Sequence, residues 1–187
     1  MRTIPGMTVI VPCDGNETRL AVKAMLDMKG PCYFRTGRPA VDCVTDQFDD
    51  YKFEIGKGIT LVDGSDVTLI ACGLMVQRAL KAQELLAAEG ISARVIDMHT
   101  IKPLDRELVI KAAKETGAIV TAEEHNVIGG LGAAVAEVLV TDTLCPVEFV
   151  GVQDVFGHSA SPDELLEHYG LTAENIAAKA KKAISRK

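Results

Sequence analysis

The chain has 187 residues, 48% hydrophobic and 25% charged, the balance of an ordinary globular protein rather than a disordered or fibrous one. Twenty Lys and Arg stand against 26 Asp and Glu, a formal charge of −6; without a basic block able to neutralise several phosphates, this argues against nucleic acid or an acidic membrane as partner. No apolar run has the length of a membrane span or signal peptide, Trp is absent and aromatics make up 4% of the chain, so a cytoplasmic protein without base- or sugar-stacking platforms is expected.

In chain order, the first 45 residues predict a strand over Thr8–Val11, a helix capped by Asp14 with Glu17 three residues on, and a second strand over Cys32–Arg35, with Gly30-Pro31 ending the helix. A parallel pair is normally covered on both faces, and this segment offers one helix. It is therefore expected to dock on the remainder of the chain, on a second copy, or on polypeptide outside this sequence. Residues 39–58, rich in Asp and Gly, show no sustained period and read as a connector, in which Tyr51, Phe53 and Ile55 could form a short extended edge. The chain thus divides into residues 1–45, a connector over 46–64, and a larger unit over 65–187.

From Val67 onward, short β-branched runs alternate with segments of helical period, the pattern of βαβ units and a mostly parallel sheet with helices on both faces. The runs are Val67–Ala71, Ala93–Ile96, Ala118–Thr121 and Val147–Val150. Helices are expected over Leu74–Glu89, Asp105–Thr116 and Gly130–Val140, the first two stopped by Gly90 and Gly117. Ser161-Pro162-Asp163-Glu164 has the form of a capping box with Pro at the first helical position, and Thr172 caps a last, lysine-ended helix.

Several motifs could carry chemistry. Glu123-Glu124-His125, at the end of a predicted parallel strand, leads into the turn Gly129-Gly130-Leu131-Gly132. Free N–H groups at the helix start could hold an anion, although the order G-G-x-G is not a dinucleotide fingerprint; the alternative is close helix–sheet packing. Glu123 and Glu124 could be an acid and a base, but neighbouring residues of an extended chain point to opposite sides. His99 lies near a strand end, where a structural hydrogen bond is expected. His158 has Ser159 beside it, which does not by itself make a triad. The five cysteines, an odd number without a C-x-x-C pair, read as reduced thiols, with Cys72 a small core residue. Arg35-Thr36-Gly37-Arg38-Pro39 sets two guanidinium groups around a glycine turn after a strand; Arg38 could read a phosphoester or form a surface ion pair.

Taken together, these strings resemble a transketolase. Met1–Met7, Pro12-Cys13-Asp14, Gly30-Pro31 and Arg38 are similar to the end of its pyrimidine-binding domain. Gly64–Gly73, Glu89–Val95, Ile101–Asp105, Phe156-Gly157-His158-Ser159, Glu164-Leu165-Leu166 and Tyr169–Thr172 are similar to its C-terminal domain. Deoxyxylulose-phosphate synthases and 2-oxoacid dehydrogenase E1 β subunits share this architecture. The resemblance implies transfer of a two-carbon ketol unit between sugar phosphates in the pentose phosphate pathway, with thiamine diphosphate and Mg2+ in the complete enzyme and a homodimeric assembly. It also implies that Arg38 grips the sugar phosphate, that Gly129, Gly130 and Gly132 are architectural, and that no catalytic, cofactor or metal ligand lies in this chain. The family's cofactor-binding domain and its pyrimidine-contacting glutamate have no counterpart here, so catalysis is expected to need that N-terminal region or a separately encoded subunit. The chain alone is then expected neither to bind thiamine diphosphate tightly nor to turn over. A free-standing interaction or small-anion-binding module using His125–Gly132 is the alternative of another class.

Overall fold

The computed structural model describes residues 1–48 and 51–187; Asp49 and Asp50, within the connector read from sequence, lie outside the described residues. Its larger sheet has the order β3-β5-β4-β7-β8, where β3 is Ile59–Val62, β4 Val67–Ala71, β5 Ala93–Asp97, β7 Ile119–Asn126 and β8 Val147–Val152. All neighbours run parallel except the edge strand β3, which is antiparallel to β5. The expected βαβ alternation is thus present, with α2 (Met75–Ala88), α3 (Arg106–Thr116), α4 (Leu131–Asp142), α5 (Pro162–His168) and α6 (Ala173–Ile184) linking or following the strands.

Alternation along β4 shows why both faces need cover. Val67, Leu69 and Ala71 enter one core with α2 and α6, whereas Ile70 and Cys72 enter a second core with α3 and α4. A strand buried on both faces has to be apolar at nearly every position, and β4 is buried throughout. The predicted cap and stop are in place, Thr172 accepting from Asn175 N–H at 3.2 Å and Gly117 ending α3 in the left-handed conformation at φ 67°; Asp105, expected as the first helical residue, instead caps α3 by accepting from Leu108 N–H at 3.1 Å. The Ser161 N–H donates to the Glu164 carboxylate at 3.0 Å.

The N-terminal residues form β1 (Thr8–Ile10), α1 (Gly15–Leu26) and β2 (Cys32–Phe34), with β1 and β2 parallel. Their sheet is completed by β6 (Thr100–Lys102), a strand of the larger unit that runs antiparallel to β1. The piece therefore docks on the rest of the chain. Val9 and Val11 pack into the α3/α4 core, Cys13 into the α2/α6 core, and Lys102 Nζ donates to the carbonyls of Arg2 and Ile4 at 2.9 and 2.6 Å. The extended edge falls at Ile59–Val62, not at Tyr51, Phe53 and Ile55, because those three turn inward or lie in coil while β3 finds a free edge on β5.

One buried charge fastens α6 to β8. Glu148, 6% exposed, accepts from Lys179, Lys182 and Arg186 at 3.2, 3.0 and 2.7 Å. Burial by itself would raise this carboxyl, but the hydrogen bonds from the three cations outweigh it and hold it below its ordinary 4.5. A carboxyl depressed in the folded state stabilises above its unfolded pKa and loses that contribution as pH falls through the folded one. Glu148→Gln is expected to lower the thermal midpoint at pH 7, and the gap to the parent chain should shrink as pH falls below about 4, measured by circular-dichroism melts across the range.

Candidate functional site

The carboxyl ends of several parallel strands converge on the seam between the two sheets, where α/β proteins place their sites. After β1 come Val11 and Pro12, after β2 Arg35 to Arg38, after β4 Cys72 and Gly73, and toward the end of β7 Glu124 and His125. A cavity of about 210 Å³ is lined by Arg35, Arg38, Gly73 and Glu124 among others. It adjoins a larger one of about 690 Å³ where Arg38, Glu124 and His125 face the apolar side chains of Leu74, Leu165 and Leu171.

Arg35 is half-buried and Arg38 exposed. The Arg35 N–H continues the β1–β2 ladder by donating to the Ile10 carbonyl at 3.0 Å, which directs the chain so that the Thr36-Gly37 turn brings Arg38 back to the same cavity. Glu124 stands opposite. Removal of water around it raises its carboxyl pKa, and the Arg35 guanidinium pulls the other way. The sequence motif singles out both arginines but assigns a role to Arg38 alone; that Arg35 lines the same cavity depends on β1 lying beside β2, which the local string does not reveal.

The two adjacent glutamates part company, as their alternation on an extended strand requires. Glu123 is 1% exposed and turns beneath the sheet end to the start of α4, where it accepts from the N–H groups of Leu131 at 2.8 Å and Gly132 at 2.9 Å. The anion position at this helix N-terminus is thus filled by the chain's own carboxylate, the placement that free N–H groups and the helix dipole favour. A Cβ at Gly130 would collide with that carboxylate, and one at Gly132 would come within 2.5 Å of Phe149 and 2.8 Å of Thr121. Gly130 and Gly132 allow this close approach.

The remaining candidates are Cys72, His99 and His158. Cys72 is fully buried, and burial pushes its thiol up. His99 is buried with Nδ1 2.9 Å from Thr100 Oγ1. His158 is exposed with Nδ1 2.8 Å from Tyr169 Oη, and among the described residues no hydrogen bond joins its ring to Ser159.

Comparison with known proteins identifies the architecture. Residues 56–176 match the family described as transketolase, C-terminal domain, and residues 1–42 match the transketolase pyrimidine-binding domain. The chain belongs to the transketolase family. It is 46% identical over 176 residues to an apulose-4-phosphate transketolase subunit of Phocaeicola vulgatus, an alignment covering 94% of this chain and 56% of that protein. It is 46% identical over 178 residues to a putative transketolase C-terminal section of Methanocaldococcus jannaschii, covering 95% of this chain and 55% of the other. A solved structure of a split gene transketolase, described as an inactive beta4 tetramer, superimposes with a TM-score of 0.93 at 51% identity, over 100% of this chain and 60% of that one. The chain spans little more than half the length of these relatives.

A thiamine diphosphate–magnesium pair needs hard oxygen donors grouped around an octahedral ion and a bed for two phosphates. At the seam, Glu124 is the one carboxylate lining the 210 Å³ cavity, beside two guanidinium groups and apolar strand ends. These residues do not fit that pair.

Glu123→Ala is expected to lower stability by about 1–3 kcal/mol, because two buried N–H donors lose their acceptor, as read from urea unfolding. Calorimetry with inorganic phosphate should show no binding at the glycine turn in the parent chain; binding that Gly132→Val abolished would revive the anion-module reading.

Proposed function

We propose that this chain is the C-terminal part of a transketolase that moves a two-carbon ketol unit between sugar phosphates, and that a further polypeptide region or subunit holds thiamine diphosphate and magnesium for it. The observation that carries the reading is the pair of guanidinium groups, Arg35 and Arg38, at one strand-end cavity. A guanidinium meets a phosphate through two parallel hydrogen bonds, and two around one glycine turn can embrace it from both sides. In this reading Arg38 grips the terminal phosphate, Arg35 supports it from the cavity wall, and Glu124 faces the sugar.

The partner requirement rests on chemistry and surface together. Neither the ylide-forming apparatus nor an octahedral oxygen cage is suggested by the residues at the seam. Beyond it, β2 pairs, among the described residues, with β1 alone, and α1 exposes Val22 and Leu26 at 42% and 80%. An open strand edge beside apolar helix residues is a surface on which further strands and helices can continue the sheet. We take this to be where the remainder of the pyrimidine-type domain packs. Copies of this chain are proposed to associate with one another, inactive until the partner joins. The inactive tetramer of the split gene transketolase supports that reading, as does the Phocaeicola relative's being a subunit.

The purified chain is expected to transfer no ketol unit from a ketose phosphate to an aldose phosphate, and to do so once combined with the copurifying partner from its native source. In that complex Arg38→Ala should raise KM for phosphorylated substrates roughly 10- to 100-fold, the loss of a charge-assisted contact. Unphosphorylated analogues should be unaffected. Robust turnover by the chain alone, or equal KM effects on both substrate types, would overturn the reading.

A further inference from the structure

Where the N-terminal piece meets the larger sheet, Cys13, Glu17, Tyr51, Asp97 and His99 close a dry polar cluster. Glu17, Asp97 and His99 are 0% exposed and Cys13 2%. Donor atoms of Cys13, Glu17 and Asp97 all lie within 4.8 Å of one another, and Cys13 Sγ is 3.4 Å from Asp97 Oδ2. The Tyr51 hydroxyl donates to Glu17 and lies 3.2 Å from Asp97 Oδ2, orienting both carboxylates. The Cys13 N–H holds the other Glu17 oxygen at 2.6 Å.

His99 is aimed into this group. Its ring stacks on Phe53 with centroids 4.1 Å apart, Nδ1 is engaged with Thr100 Oγ1 at 2.9 Å, and Nε2 is left 4.0 Å from Glu17 Oε1. Among the described residues the wholly buried Nε2 has no hydrogen-bond partner, and neither has Asp97 Oδ1. Polar atoms are seldom left in that state in a folded interior.

Two dry carboxylates need a positive charge, and among the described residues no lysine or arginine pairs with either. A single shared proton would relieve the carboxylates but offer nothing to the Nε2 lone pair. A cation would satisfy sulfur, both carboxylates and Nε2 at once, and it inverts the protonation preferences of such a group. Where Thr100 Oγ1 accepts from Nδ1–H, the ring has the tautomer that ligates through Nε2.

We propose that Cys13, Glu17, Asp97 and His99 form a four-coordinate site for a zinc-class divalent cation that staples α1 to the ends of β5 and β6. Donor atoms around tetrahedral zinc stand roughly 3.2–3.8 Å apart, so the Cys13–Asp97 edge already has this spacing, whereas His99 Nε2, 4.0 Å from Glu17 Oε1 and outside the group of atoms within 4.8 Å of one another, has to swing inward to complete the set. A mixed S, N, O set favours such a metal over magnesium or calcium, which take oxygen alone. On binding, the Cys13 thiol and any carboxyl proton pass to solvent as the Sγ–metal and O–metal bonds form. Because Cys13 and Glu17 come from the N-terminal piece and Asp97 and His99 from the larger unit, the ion joins the two.

The full chain, purified under reducing conditions without chelator, should carry about one zinc by elemental analysis, and after stripping should take up one equivalent of Zn2+ or Co2+. Cobalt should give a thiolate charge-transfer band that Cys13→Ser lacks, and His99→Gln should weaken binding roughly 100-fold or more. The parent chain decides the matter even if the variants misfold. Uptake of no metal with an unchanged thermal midpoint, or metal held equally by folded Cys13→Ser and His99→Gln, would overturn the site and leave a proton-sharing carboxylate pair in its place.

Discussion

A parallel pair of three-residue strands with a single helix cannot bury enough surface to stand by itself, and everything at the strand-end seam follows from how this chain resolves that constraint. β6 supplies the third strand, setting Val9 against Lys102 and Ile10 against Thr100. Val9 and Val11 then fall into one core of the larger unit and Cys13 into the other. The Asp14 carboxylate draws in the connector by accepting from Glu17 N–H, Val44 N–H, Thr45 N–H and Thr45 Oγ1 at 2.8 to 3.0 Å. Four donors on one buried carboxylate make this joint far stiffer than a surface ion pair could.

That stiffness places Arg35 and Arg38 over the ends of β4 and β7. Neither arginine belongs to the sheet that carries Gly73 and Glu124; they are brought there only because β1 carries β2 alongside. The same seam separates the two neighbouring glutamates into different jobs. Glu123 is consumed by the start of α4, where a buried carboxylate held by two backbone donors is matched to the helix dipole. Glu124, one position on, is left facing the cavity with the guanidinium groups. A chain of net charge −6 thereby presents a locally cationic wall at one place, which draws anionic ligands to it.

Much of this is legible in the sequence, for identifiable reasons. The strands and helices after Val67 are announced by β-branched runs, glycine stops and side-chain caps, all local signals, and the observed elements follow them closely. The extended edge at Ile59–Val62 escapes a reading of the string because the run Ile59-Thr60-Leu61-Val62 directly follows a glycine-containing stretch and is only four residues long. β6 is shorter still, and Pro103 directly after it hides its strand character. The role of Glu123 could be read from a carboxylate eight residues before a helix start rich in glycine, since such a helix has free donors and no capping side chain of its own. Nothing local shows that Glu17, read as a partner of the Asp14 cap, is wholly buried beside Asp97 and His99, about 80 residues away in sequence.

The division of the site across two units has a consequence for which residues matter to it. In the proposed reading, a substrate phosphate held by Arg35 and Arg38 would be positioned relative to the rest of an active centre only as well as β2 is positioned relative to β4 and β7. Misplacement by about 1 Å can cost on the order of a hundredfold in rate. On that reading Asp14, Thr100 and Lys102, which among the described residues make no hydrogen bond to Arg35 or Arg38, act as positioning residues through the β1–β6 joint. The dry cluster of Glu17, Asp97 and His99 lies at the same joint, where the Val11 N–H donates to the His99 carbonyl at 2.8 Å. With β1 held by β6 along one edge and by this cluster just past its end, β2 has little freedom to slide, so phosphate recognition and the packing of the two units are one physical problem in this chain.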